Sequence, residues 1–251
     1  MEAGVPVTSA SVASGDGLPG AVEESKRAAA REGVDGYVRS GMVVGLGSGT
    51  TAAFAVLRIG ELLRSGELRD VRGIPTSEAT ARMAREAGIP LVGLDDARPD
   101  LTIDGADEIN PSLDLIKGRG GALLREKIVA ASGGELVVIA DGSKMVDALG
   151  EGPLPVEVDR FGYEVTLNTL ASLGCEPELR LLPGEEPHPF VTDGGHYTAD
   201  CLFPSIPDPA ALEAEIRSIP GALECGLFVG LTRAAVVARG EAGVRVKVIE
   251  A

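Results

Sequence analysis

Short apolar segments alternate with helix-like segments through the first half of the chain, and this alternation restricts the possible folds. The first unit is an apolar run at 42–46, a Gly-Ser-Gly turn and a helix-like run at 52–63. Strand, tight glycine turn and helix, in this order, open a parallel α/β sheet. The alternation continues with predicted strands at 71–74, 90–94, 101–103 and 136–140 and predicted helices at 22–39, 77–87 and 121–131. We therefore predict α/β architecture with a doubly wound, mostly parallel, Rossmann-like sheet.

The order of elements changes after Gly150. The pattern predicts strand, helix, two strands, helix and strand, which is the order of a smaller ferredoxin-like α+β domain. The strands are expected at 154–158, 178–182 and 225–229, with a hairpin formed by 190–192 and 197–203. The helices are expected at 163–173 and 209–219. Strands at 234–238 and 244–249 are expected to return to the first sheet. The predicted division is an N-terminal extension (1–20), a Rossmann-like catalytic domain (21–150 and 230–251) and a ferredoxin-like domain (151–229).

The charge of the chain restricts its partners. The 251 residues include 23 Lys and Arg against 38 Asp and Glu, a net charge of −15. This argues against nucleic acid and against an anionic membrane surface. No apolar run reaches the roughly 18 residues that span a bilayer, and no signal peptide is visible. We expect a cytoplasmic protein with free thiols at Cys175, Cys201 and Cys225. Only His188 and His196 are histidines, so acid–base chemistry would depend on carboxylates and lysines.

The glycine-rich segment 45–51 (GLGSGTT) lies between a predicted strand and a predicted helix. Glycines allow backbone N–H groups to approach an anion, and the helix N-terminus faces the same place. A phosphate would fit there. The third glycine of a dinucleotide fingerprint is replaced by Thr50, and the lysine of a P-loop is absent. The alternative interpretation is a simple turn with a Ser or Thr helix cap.

Three carboxylates lie within residues 104–108 (DGADE), directly after a predicted strand. Crowded carboxylates push one another's pKa values apart, which suits general acid–base catalysis. A solvated acidic turn and a divalent metal site are the alternatives.

A second glycine loop follows Lys117 and leads into the helix predicted at 121–131. We expect Leu124, Ile128 and Ala131 to form the core face of this helix. Glu126 would then lie on the other side, as a partly desolvated base or as an ordinary surface residue.

Lys144 follows the predicted strand 136–140, so it would reach the sheet edge where the other polar clusters lie. It would bind an anion there or remain a solvated lysine in a turn.

Taken together, these motifs resemble the ribose-5-phosphate isomerases of the A type. The resemblance covers about residues 22–250, nearly the whole chain. The matching stretches are GLGSGTTA (45–52), PTSEAT (75–80), DGADEIN (104–110), KGRGGALLREKIVA (117–130), IADGSKMV (139–146), LPVEV (154–158), VTDGG (191–195) and IPG…GLF (219–228).

The resemblance implies interconversion of D-ribose 5-phosphate and D-ribulose 5-phosphate in the pentose phosphate pathway, without a metal or organic cofactor. The family's general base falls on Glu126, which would move a proton between C2 and C1 through a cis-enediolate. Its lysine falls on Lys117, close to the developing oxyanion. Its aspartates fall on Asp104 and Asp107, which are associated with ring opening and proton movement at the oxygens. A homodimer or homotetramer is also implied.

The substrate contacts that the resemblance implies fall in four places along the chain. They are the phosphate and sugar loop Ser48, Gly49, Thr50 and Thr51; Gly105 and Ala106; Gly118, Arg119 and Gly120; and Lys144. Arg119 departs from the family's all-glycine loop and leaves the backbone geometry there open. Lys26 or Arg27 would contact phosphate, with the register unresolved.

Two other classes of protein are alternatives to an isomerase. A sugar-phosphate sensor would bind without turnover, but the N-terminal segment has no room for a helix-turn-helix and the charge opposes DNA. A nicotinamide dehydrogenase would need an acidic residue after the second strand, where residues 73–77 read GIPTS.

Overall fold

The structure is a computed structural model that describes residues 19–184, 186–240 and 245–251. Residues 1–18 of the predicted N-terminal extension lie outside the described residues. The helices are α1 (Pro19–Tyr37), α2 (Thr50–Ser65), α3 (Glu78–Glu86), α4 (Leu123–Ala131), α5 (Tyr163–Ala171) and α6 (Pro209–Arg217). The strands are β1 (Val43–Leu46), β2 (Arg72–Pro75), β3 (Leu101–Asp104), β4 (Glu108–Ile109), β5 (Leu115–Ile116), β6 (Glu135–Asp141), β7 (Leu154–Val158), β8 (Glu176–Leu179), β9 (Leu181–Leu182), β10 (His188–Pro189), β11 (Tyr197–Leu202), β12 (Ala222–Cys225), β13 (Leu227–Phe228), β14 (Thr232–Arg239) and β15 (Arg245–Glu250).

The largest sheet has six strands in the order β15-β14-β6-β3-β1-β2. Every neighbouring pair is parallel except β14 and β15. The prediction of a mostly parallel α/β sheet is therefore confirmed, and the two C-terminal strands return to it as expected. Helix α1 packs closely on β6, because a Cβ on Gly33 would lie 2.6 Å from Ile139 Cγ2. The parallel strands β1, β3 and β6 end at one edge, where ligands bind in such sheets.

A second sheet has four antiparallel strands in the order β12-β7-β11-β8, and it carries α5 and α6. In chain order this is strand, helix, strand, strand, helix, strand, with the first and third strands central. The ferredoxin-like topology expected from the sequence is present. Its buried side chains include Leu154, Val156, Leu170, Ile216 and the three free cysteines.

A third sheet, β13-β5-β4, was not predicted, because β4, β5 and β13 have two residues each and carry no periodicity. The single strand predicted at 225–229 is wrong: it divides at Gly226 into β12 and β13, which belong to different sheets. A Cβ on Gly226 would lie 2.1 Å from the backbone oxygen of Lys117. The Lys117 N–H donates to the Gly226 carbonyl at 2.9 Å. This crossing point fixes the backbone of Lys117.

Other predicted strands are also wrong. In segment 90–94 only Leu91 pairs with β2, because the next donor on β2 would be Pro75, which has no N–H. The hairpin of 190–192 with 197–203 is absent, since β11 pairs with β7 and β8 instead. The Thr192 N–H bonds to the His196 carbonyl across a turn, but its hydroxyl donates to Glu157. The strand predicted at 178–182 also divides, at Arg180, into β8 of the four-stranded sheet and β9, which pairs with β10. The remaining predicted elements occur within a few residues of the expected bounds.

Candidate active site

Three charged side chains are buried together where β3, β5 and α4 meet. The Lys117 ammonium lies 2.9 Å from Asp104 Oδ2 and 3.3 Å from Glu126 Oε2. It also donates to the Gly105 carbonyl at 2.6 Å. The three side chains are 4%, 2% and 7% exposed, so solvent screens their interactions only weakly. We call these three residues the Lys117 cluster.

The ends of two strands place the first members of this cluster. Asp104 is the last residue of β3, and its Oδ1 accepts the N–H groups of Ser48 at 3.1 Å and Gly105 at 2.7 Å. Gly47 has no room for a side chain, because a Cβ there would lie 2.6 Å from the Asp104 Cα. Lys117 directly follows β5. The sequence motifs at 45–51 and 104–108 are therefore one unit in space.

Helix α4 presents the opposite face from the one expected. The predicted core face of Leu124, Ile128 and Ala131 is wrong, and Ile128 is 49% exposed. The residues of α4 that are buried are Leu123, Glu126, Lys127, Val129 and Ala130. The hydrophobic pattern did not reveal this face, because two of its buried residues, Glu126 and Lys127, are charged and pair with charged side chains. The interpretation of Glu126 as an ordinary surface residue is also wrong.

Burial gives the Lys117 cluster unusual acid–base properties. Desolvation, reinforced by the charge of Asp104, raises the pKa of Glu126 to about 8, against the opposing effect of Lys117. Desolvation also raises the pKa of Asp104. Burial disfavours the charged form of Lys117, but the charges of Asp104 and Glu126 outweigh it and raise the pKa of its ammonium. The cluster thus contains an ammonium that stays charged at neutral pH beside a carboxylate that is more basic than usual.

Asp107 lies at one wall of a cavity of about 220 Å³. Its Oδ2 accepts the Arg119 N–H at 2.9 Å, and its side chain lies near enough to raise the pKa values of Lys117 and Glu126. The cavity is lined by Asp107, Glu108, Arg119, Ser143, Lys144, Val146, Glu151 and Gly152. The structure therefore brings Asp107 and Lys144 to one opening. Lys144 forms no ion pair among the residues that the structure describes.

Glu108, the third carboxylate of the acidic motif, is buried and connects three parts of the chain through hydrogen bonds. It is 2% exposed and accepts N–H groups from Gly150 at 2.7 Å and Gly152 at 2.8 Å. The Arg119 guanidinium donates to it at 2.6 Å. Since Asp104 and Glu108 are both buried and bonded, the solvated-turn interpretation of this motif is wrong.

Arg119 fits the second glycine loop without backbone strain. The left-handed φ values in this loop belong to Gly118 (107°) and Gly121 (79°), and Arg119 does not have one. Its side chain turns to Glu108, so the departure from an all-glycine loop leaves the geometry intact.

The first glycine loop ends at the N-terminus of α2. Gly49 has a φ of 94° and precedes Thr50, whose hydroxyl accepts from the Lys26 ammonium at 3.0 Å. A Cβ on Gly105 would lie 3.9 Å from the Cβ of Thr51, so this loop adjoins the acidic motif. The Ser48 hydroxyl instead bonds to Thr76, Ser77 and Thr80 of the PTSEAT segment. Lys26 is therefore placed at the loop.

Arg27, the other basic residue considered from the sequence, has different neighbours. It pairs with Glu23 at 3.3 Å, and its guanidinium lies 5.1 Å from the centre of the Phe54 ring. Of these two basic residues, Lys26 is the one whose side chain contacts the first glycine loop among the described contacts.

One group of possible metal ligands occurs among the described residues, formed by Glu213, Glu224 and Cys225. The Lys127 ammonium lies between the two carboxylates, at 2.6 Å and 2.8 Å. A cation of the chain itself therefore occupies that position. In the described part of the chain, no helix is long and apolar enough to cross a membrane.

The chain is similar to known proteins over most of its length. A family model for ribose 5-phosphate isomerase A (phosphoriboisomerase A) matches residues 72–242. Ribose-5-phosphate isomerase A of Gloeobacter violaceus is 55% identical over 224 residues, covering 88% of this chain and 94% of that protein. The Roseiflexus castenholzii protein of the same name is 53% identical over 216 residues, covering 85% and 91%.

Solved structures give the same result. Ribose 5-phosphate isomerase from Plasmodium falciparum superimposes with a TM-score of 0.86 at 40% identity, covering 91% of this chain and 99% of that one. A D-ribose-5-phosphate isomerase solved in complex with phospho-erythronic acid superimposes with a TM-score of 0.87 at 38% identity, covering 92% and 99%.

Proposed function

The chain belongs to the ribose 5-phosphate isomerase A family, and from this premise we propose that Glu126 is the base in its interconversion of D-ribose 5-phosphate and D-ribulose 5-phosphate. The reaction moves a proton between C2 and C1, and an enediolate is the intermediate that such a transfer passes through. The observation that supports this role most is the burial of Glu126 against Lys117. Glu126 Oε2 is buried and lies 3.3 Å from the Lys117 ammonium, so the proposed base stands beside the cation that would stabilise the enediolate.

Lys117 supplies the positive charge that an enediolate needs. Its raised pKa keeps the ammonium charged while Glu126 takes up a proton. A fixed cation stabilises the developing oxyanion strongly in a site from which water is excluded. Asp104 holds this ammonium at 2.9 Å and is itself held by two backbone N–H groups.

Asp107 is proposed to move protons at the sugar oxygens. One of its carboxylate oxygens accepts the Arg119 N–H, and the side chain is partly exposed in the 220 Å³ cavity. The aldose must open its ring before C2 can lose a proton, and this opening moves a proton from the C1 hydroxyl to the ring oxygen. We assign that transfer to Asp107.

The phosphate of the substrate is proposed to bind at the first glycine loop. The N-terminus of α2 provides free N–H groups, and Thr50, Thr51 and Lys26 lie beside them. Lys144 contributes a second positive charge from the cavity wall. The remaining contacts are proposed to come from Ser48 and Gly49, from Gly105 and Ala106, and from Gly118, Arg119 and Gly120.

The substitution Glu126→Gln tests the proposed base. We expect kcat to fall on the order of a thousandfold, within the range that general bases contribute. Since burial disfavours the charged carboxylate, the neutral amide should not lower the Tm at pH 8. Glu164→Gln, on the exposed side of α5, is the matched control and should retain full activity. Near-normal turnover in the Glu126 variant would contradict the assignment.

The same assay is run with and without a chelator. No step in the proposed mechanism uses a metal, so turnover should be unchanged by the chelator. A loss of activity that added divalent metal restores would contradict this part of the proposal.

We propose a homodimer or homotetramer in the cytoplasm. Phe161 and Val165 are 92% and 70% exposed, which is unusual for large apolar side chains on a monomer and supports an assembly. The three free, buried thiols support a reducing compartment. Light scattering on purified protein tests the assembly, and a monomer at micromolar concentration would contradict it.

A further inference from the structure

Arg180 joins the ferredoxin-like sheet to the loop that follows Lys117. It lies between β8 and β9, and its Nη1 donates to the carbonyl oxygens of Gly118 at 3.0 Å and Arg119 at 3.1 Å. Asp200 of β11 holds the same guanidinium, accepting from Nε at 2.8 Å and from Nη2. The Arg180 side chain is 15% exposed, so these interactions are largely shielded from water.

The peptide group between Gly118 and Arg119 is held at both ends. Its carbonyl accepts from Arg180, and its N–H donates to Asp107 Oδ2 at 2.9 Å. A cation at the carbonyl oxygen polarises a peptide group and makes its N–H a stronger donor. Arg180 therefore fixes the direction of the hydrogen bond that Asp107 accepts and strengthens it.

A second contact from the same region supports the loop at its other end. The Phe190 N–H donates to the Arg180 carbonyl at 2.9 Å, and a Cβ on Gly121 would lie 2.3 Å from Phe190 Cζ. The second glycine loop is therefore contacted by Arg180 at Gly118 and by Phe190 at Gly121. Arg180 is not among the residues that line the described 220 Å³ cavity, and its described contacts connect it to Asp107 through the Gly118–Arg119 peptide.

We propose that Arg180, anchored by Asp200, is a positioning residue that orients Asp107 through the Gly118–Arg119 peptide. The proposal rests on the role in ring opening assigned to Asp107 above. Arginine is required because its planar fork reaches one carboxylate and two carbonyl oxygens at once, which the single ammonium of lysine does not do.

A double-mutant cycle tests the proposal, with kcat and KM measured for D-ribose 5-phosphate. The variants are Arg180→Met, Asp107→Asn and the two combined. We expect Arg180→Met to lower kcat on the order of tenfold while KM changes less than about threefold. If Arg180 acts through Asp107, the double variant should match Asp107→Asn within about twofold.

Two further variants separate positioning from folding. Arg160→Met is the matched control, because Arg160 lies over Tyr197 in the same unit and has no bond to the loop among the described contacts. It should leave kcat unchanged. Arg180→Lys keeps the charge but not the fork, so its kcat should lie between those of the parent and Arg180→Met. It replaces the methionine variant in the cycle if the latter does not fold.

Each outcome of the cycle has a definite meaning. Normal kcat in Arg180→Met, or a double variant whose loss is the product of the two single losses, would overturn the positioning role. Normal activity in Asp107→Asn would instead overturn the proposed role of Asp107. The failure of one proposal is thus distinguishable from the failure of the other.

Discussion

At the scale of single residues, Glu126 shows what a sequence pattern does not reveal. The acidic motif and the lysine before the second glycine loop indicated where chemistry would occur. The burial of Glu126 was not predictable, because the inner face of α4 carries Glu126 and Lys127 where the pattern expected apolar residues. Their partners, Lys117 and the pair Glu213 and Glu224, come from distant parts of the chain.

The pH dependence of the reaction follows from this burial. As the proposed base, Glu126 must be ionised to accept a proton, and its pKa is raised from the ordinary value of 4.5 to about 8. We therefore expect log kcat/KM to rise with pH, to bend near pH 8 and to level off above it, since this parameter reports the free enzyme. A pH–rate profile from 5.5 to 9.5 checks this. A profile that is already level at pH 6 would contradict it.

Lys144 gives a different expectation. A charge that binds the substrate and the transition state equally well affects KM more than kcat. Lys144→Ala should raise KM several-fold and lower kcat less. Steady-state kinetics of this variant and of Lys247→Ala, an exposed lysine on β15, make the comparison. An unchanged KM in Lys144→Ala would remove Lys144 from the site.

At the scale of elements, the strand–helix alternation predicted the parallel sheet and the edge at which the polar motifs meet. The two-residue strands β4, β5 and β13 were not predictable, since no period exists in two residues. They form only because Gly226 permits the chain to cross from one sheet to the other beside Lys117. A glycine in an apolar segment was the one available signal for this crossing.

Gly226→Ala tests the importance of that crossing. A methyl group there meets the backbone of Lys117, which cannot give way as a flexible side chain would. We expect a loss of about 1–3 kcal/mol in the free energy of unfolding, as for other overpacked sites, together with a lower kcat. Gly36→Ala, with nothing within 4 Å of the new methyl group, is the control for denaturant titrations. Parent-like stability and kcat in Gly226→Ala would contradict the expectation.

At the scale of the whole molecule, the division proposed from the sequence is a catalytic domain (21–150 and 230–251) and a ferredoxin-like domain (151–229). Charged contacts connect the two proposed domains. Lys127 of α4 bonds to Glu213 of α6 and Glu224 of β12, and Arg180 bonds to the second glycine loop. The net charge of −15 would repel an anionic substrate, and Lys117, Lys144 and Lys26 supply local positive charge at the site proposed for it.

These buried contacts predict cooperative unfolding. Separating the two proposed domains would break the ion pairs of Lys127 with Glu213 and Glu224 and the hydrogen bonds of Arg180 to the second glycine loop. We expect one transition in thermal unfolding, with the calorimetric and van't Hoff enthalpies equal. Lys127→Met should lower the Tm, since it removes the partner of two carboxylates. Two separate transitions in the parent would contradict the expectation.

Isotope exchange tests the proposal that Glu126 transfers a proton through an enediolate. The parent enzyme and Glu126→Gln are held with the two pentose phosphates in D₂O for many turnovers, and deuterium at C1 and C2 is measured by NMR. We predict that deuterium accumulates with the parent and that both exchange and isomerisation slow on the order of a thousandfold in the variant. Isomerisation by the parent without any deuterium incorporation, or undiminished exchange in the variant, would contradict the claim.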